Sequence, residues 1–133
     1  MGYYSKLFIT TGILFLLIDL VWLLVISKQI YQNYLGDLLG TVKIVPAAIF
    51  YLIYIVGIVF FVIHPALDKG SLAYGIFAGG LLGLLCYSTY DLTNLATLKG
   101  WPVFVTVIDL IWGTFITATT SGLVFILAKY LKW

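Results

Sequence analysis

The sequence predicts an all-α integral membrane protein, a four-transmembrane-helix bundle with a short interfacial helix between the first two spans. Three observations predict it. Of 133 residues, 63% are hydrophobic and only 9% charged, whereas a soluble domain carries roughly 25% charged residues. A spanning helix needs about 20 apolar residues, so the length accommodates four spans and little else. Polar turns at Lys28 to Lys43, Asp68-Lys69-Gly70 and Lys99-Gly100-Trp101-Pro102 divide the chain into four apolar runs. A single transmembrane domain over 1–133 is expected.

The first run is expected to span over about 7–27, with Tyr3, Tyr4 and Lys6 in the headgroup region. It is longer than a signal-peptide h-region of about 7 to 15 residues, and no small-x-small cleavage site follows, so it is expected to remain as a helix. Between Lys28 and Lys43 the apolar residues Ile30, Tyr31, Tyr34, Leu35, Leu38, Leu39 and Val42 recur at three-to-four spacing. Gln29, Gln32, Asn33 and Asp37 fill the other face, which predicts a helix in the interface plane over about 29–42, weakened by Gly36 and Gly40. The second span is expected over about 44–63, with Pro46 tolerated in its first turn and His64-Pro65 closing it. The third, about 71–98, carries Gly75, Gly79 and Gly83 on one stripe, a ridge that lets another helix approach closely, from this chain or from a second protomer in a homodimer. The fourth, about 102–128, ends on Lys129, Tyr130, Lys132 and Trp133.

Lys6, Lys69, Lys129 and Lys132 fall on one side and Lys28, Lys43 and Lys99 on the other. By the positive-inside rule the termini are expected on the cytoplasmic side. The lipid bilayer is the expected partner. Nucleic acid is not, because the lysines are scattered and the chain has no arginine. One histidine and one cysteine cannot make a transition-metal site, so no metal or other cofactor is expected. Cys86 reads as a small core or lipid-facing residue and His64 as an interfacial side chain.

Asp19, Asp91 and Asp109 lie within the apolar runs. An acid there costs about 2.5 kcal/mol or more, faces the bundle interior and marks a functional site. Counted from Lys28 or Lys99, each lies ~12 to 15 Å from the same membrane face at 1.5 Å per residue. The three carboxyls are therefore expected in one layer, around a cavity opening toward the 99–102 face. Tyr51 and Tyr54 reach a similar depth and can supply hydroxyls. Tyr87, Asp91 and Asn94 share one face of the third span, and Trp22 and Trp112 follow Asp19 and Asp109 at i, i+3. Crowded carboxyls in low dielectric do not all ionise, which suits proton handling or hydrogen-bond donation. Carboxylate, amide and phenol oxygens also form a hard set for a cation. The bland alternatives are interhelical hydrogen-bond glue for the acids and packing for the tryptophans.

The run Tyr87-Ser88-Thr89-Tyr90-Asp91-Leu92-Thr93-Asn94-Leu95-Ala96-Thr97, followed by Gly100-Trp101-Pro102, Asp109 and Trp112-Gly113, resembles the bacterial predicted-membrane-protein family of unknown function 2177 (DUF2177). Asp19 with Trp22, Pro46-Ala47 and Phe50-Tyr51 extend the resemblance over nearly the whole chain. It implies a small multi-span protein of the bacterial inner membrane, without an assigned activity, and favours the third-span motif and the acids as a shared site.

The expected function is binding or transport of a small ligand, a cation or a proton at this polar site. One alternative is an intramembrane enzyme, or its accessory subunit, acting on a lipid or isoprenoid. No nucleophile and base pair, cofactor fingerprint or metal motif supports it. Another is a structural partner of a second membrane protein.

Overall fold

The computed structural model describes residues 2–41 and 43–133. Its described residues form four long apolar helices, without a strand: α1 (Tyr3–Leu38), α2 (Ile44–Lys69), α3 (Leu72–Thr97) and α4 (Val103–Tyr130). Their length and composition suit a bilayer span. Leu24, Val25, Ile44 and Phe77 stand exposed on the outside, where an aqueous protein would place charge and a membrane protein meets acyl chains. The all-α four-span membrane fold expected from composition is the observed one.

Two elements differ from expectation. The amphipathic segment anticipated over about 29–42 is not separate: helix Lys28–Leu35 continues the first span through a π-helical stretch, Trp22–Ser27, and closes in a 3-10 turn, Gly36–Leu38. The reason is local, since no proline or glycine interrupts the chain between Gly12 and Gly36. Val42, counted with that segment, lies outside the described residues. The second departure is at His64-Pro65, which does not close α2. A π-helical stretch, Val59–Ile63, widens the helix just before the proline, and the helix continues as His64–Lys69. The His64 N–H donates to Val59 O, five residues back. Proline denies the Phe61 carbonyl its usual partner, and the Tyr74 hydroxyl of α3 donates to that oxygen at 3.5 Å.

The end of α2 is a Schellman turn. Ser71 N–H donates to Ala66 O at 3.0 Å and Gly70 N–H to Leu67 O at 3.1 Å, with Gly70 in the left-handed region at φ 63°. Ser71 then caps α3, its side chain accepting the Tyr74 N–H at 3.0 Å.

In lipid the hydrophobic effect does not drive helices together, so close packing must. The glycine stripe supplies it inside the chain. A Cβ at Gly79 would lie 2.9 Å from Thr117 O and 2.7 Å from Ser121 Oγ, one at Gly83 would overlap Gly113 O, and one at Gly75 would lie 3.3 Å from the Ala66 Cβ. α3 and α4 thus form a tight hairpin and leave this ridge no room for a second protomer. A core of Leu7, Phe15, Tyr54, Ile55, Ile58, Ile116 and Val124 joins α1 and α2 to it. A smaller core of Leu35, Trp101 and Val105 holds the end of α1 over the start of α4.

Candidate functional site

All three intramembrane acids are buried: Asp19 and Asp109 are 5% exposed and Asp91 is 0% exposed. Their surroundings differ. Asp19 on α1 has a donor on each oxygen, the Tyr51 hydroxyl of α2 on Oδ2 and the Trp112 indole N–H of α4 on Oδ1 at 3.1 Å. Its lone pairs are occupied by the bundle itself. The Trp22 ring, one turn further along α1, stacks on Trp112 with centroids 4.5 Å apart and planes within 8°.

Asp109 and Asp91 form the second group. Tyr31 donates its hydroxyl to Oδ1 of Asp109. A helical side chain tilts toward the helix N-terminus, which on α1 is the far side of the membrane, so the Tyr31 ring reaches back into the bundle from beyond Lys28. The Asp91 carboxyl of α3 faces that of Asp109. Apart from the Asp109 carboxyl, no group of the described residues hydrogen-bonds either Asp91 oxygen. Two carboxylates side by side in low dielectric repel strongly, and such a pair is stable only with a proton or a positive group between them.

A cleft of about 400 Å³ opens beside this pair, lined by Tyr31, Phe50, Cys86, Tyr87, Tyr90, Asp91 and Asp109, so that all four helices contribute. The size lies within the range of small-molecule sites. Its wall is mostly aromatic, with the acids at one place.

The structure groups the three acids as a pair and a single one. Asp91 and Asp109 share the cleft, and Asp19 lies outside its lining because Tyr51 and Trp112 enclose it. Tyr87 lines the cleft and packs its ring on the bare face of Gly113. Tyr51 meets an acid, but Tyr54 does not: its hydroxyl pairs with Thr117 Oγ1 at 2.7 Å. Asn94, one turn beyond Asp91, is half-buried and does not line the cleft. Trp22 and Trp112 stack on each other and do not line the cleft. His64 bonds Tyr3 at 3.1 Å between Nδ1 and the hydroxyl, at the opposite end of α2. Among the described residues no group of three His, Cys, Asp or Glu side chains could hold a metal ion.

Tyr31 is the site residue that sequence reasoning places elsewhere, as packing on an interfacial helix. The run from Ile13 to Leu35, free of glycine and proline, is the signal that could have found it, because such a run continues as one helix.

A model of the family described as predicted membrane protein (DUF2177) matches residues 4–126. The chain belongs to this family. The match takes in every acid and tyrosine of both groups and stops before Lys129 and Lys132. No curated protein and no solved structure matches the chain.

Proposed function

We propose that this member of the family binds a small ligand at the Asp91 and Asp109 carboxyl pair, and that the ligand offers the pair a proton or a positively charged polar group. The observation that carries the reading is Asp91: fully buried, facing a second acid, and with no other protein group on either oxygen. Leaving a buried polar group unpaired costs about 1 to 3 kcal/mol and more for a charge, and bundles that use acids only as glue satisfy them, as Tyr51 and Trp112 satisfy Asp19. A cationic group with an apolar body suits the rest of the cleft, because the faces of Tyr31, Phe50, Tyr87 and Tyr90 attract positive charge. A bare divalent ion has less support, since two carboxyls supply few of the 6 to 8 oxygens such an ion takes.

Binding of radiolabelled benzylamine, a primary ammonium with an apolar ring, to the protein in lipid nanodiscs tests this. Binding should be saturable and should weaken as pH falls, because protonated carboxyls no longer balance the charge. It should be lost in both Asp91→Asn and Asp109→Asn and kept in Asp37→Asn, an exposed acid. Equal binding by all four proteins, or none by any, would overturn the reading.

A further inference from the structure

The opposite end of the bundle holds a second pocket, of about 500 Å³, lined by Tyr3 from α1, His64, Leu67 and Asp68 from α2, and Ala128, Lys129, Lys132 and Trp133 at the end of α4. It lies where α2 and α4 leave the membrane, and its character is the reverse of the acid cleft: two lysines and a histidine against one acid. Lys6 approaches the same corner, its ammonium 6.0 Å from the Trp133 ring.

How Lys132 arrives there distinguishes this pocket from a general basic rim. α4 ends in the same Schellman turn as α2: Trp133 N–H donates to Ala128 O at 2.9 Å and Lys132 N–H to Lys129 O at 3.3 Å. In α2 the left-handed position is Gly70, the residue that adopts it without strain. In α4 it is Lys132, at φ 55°, the one residue other than glycine with positive φ among the described residues. Trp133 packs against the core that contains Ala128 and so fixes the turn. A lysine in the last turn of a helix is accounted for by the helix dipole, and Lys129 needs no more than that. Lys132 lies past the last turn, in a conformation that disfavours it. Such a conformation persists where surrounding contacts fix it, here those of Trp133, and it sets the Lys132 side chain at the pocket.

We propose that this pocket binds a phosphate group, that of an anionic phospholipid headgroup seated at the membrane surface, with Lys129 and Lys132 supplying charge and the Trp133 ring lying at headgroup level. Trp and Lys at this depth suit the interface, and each lysine there strengthens attraction to anionic lipid by about fivefold.

Native mass spectrometry of protein taken from bilayers of equal phosphatidylglycerol and phosphatidylcholine reads the bound lipid directly. The wild-type chain should retain phosphatidylglycerol preferentially. Lys132→Gly and Lys129→Gln should each lower that retention by about fivefold. Lys132→Gly should also keep or raise the melting temperature, since glycine relieves the turn. Lys99→Gln, on the other membrane face, should change nothing. An excess of inorganic phosphate separates two sources: displacement of the lipid assigns a site for phosphate itself, and persistence assigns one for the headgroup in its bilayer. Retention that is equal for the two lipids, or unchanged in Lys132→Gly and Lys129→Gln, would overturn the proposal.

Discussion

The indole N–H of Trp112 donates to Oδ1 of Asp19 at 3.1 Å, joining residues that lie 93 positions apart in the chain. With the Tyr51 hydroxyl on the other oxygen, this bond makes Asp19 a satisfied buried acid that ties α1 to α2 and α4. Trp112→Phe keeps an aromatic ring against Trp22 and removes the donor together with part of the stacked surface. It should destabilise the protein by about 1 to 3 kcal/mol, the cost of a buried acceptor left without its partner, as read by unfolding in detergent. In a double-mutant cycle with Asp19→Asn the two effects should be non-additive.

The glycines differ in what they allow. Gly83→Ala and Gly113→Ala place a methyl group against Gly113 O and the Tyr87 ring, so the α3 and α4 hairpin must open. Both should lower the melting temperature sharply, by overpacking worth about 1 to 3 kcal/mol or more. Gly12→Ala meets nothing within 4 Å and should be neutral or stabilising by about 0.5 to 1 kcal/mol.

Two tyrosines separate site from scaffold. Tyr31→Phe removes the hydroxyl on Asp109 and should weaken benzylamine binding at the carboxyl pair. Tyr54→Phe removes the partner of Thr117, at 2.7 Å, and should lower stability by about 0.6 kcal/mol, the average for an interhelical bond, without altering binding. Equilibrium binding and thermal unfolding of both variants check the division.

The fold is legible in the sequence because the bilayer imposes a simple rule: runs of about 20 apolar residues broken by Asp68-Lys69-Gly70 and Lys99-Gly100-Trp101-Pro102 leave few other architectures. Asp19, Asp91 and Asp109 stand out for the same reason, as acids where acids are costly. What is not legible depends on helix continuity. Lys28 and Gln29 read as the membrane edge, which puts Tyr31 outside the bundle, although its ring tilts back inward to Asp109. Pro65 reads as a stop, although a π-helical stretch accommodates it. Depth along a helix places the acids at one level, but only the rotation of each helix decides that Asp91 faces Asp109 while Asp19 faces Trp112.

The central claim of the proposed function is that Asp91 and Asp109 share one proton or one cationic group as a single site, whereas Asp19 is held by Tyr51 and Trp112. Infrared difference spectroscopy of the reconstituted protein, with the pH of the medium stepped across neutrality, tests it most directly. The account predicts a carboxyl signal that responds to the step in the wild-type chain, is lost in Asp91→Asn and in Asp109→Asn, and survives in Asp19→Asn. A signal that survives in both Asp91→Asn and Asp109→Asn, or disappears only in Asp19→Asn, would contradict it.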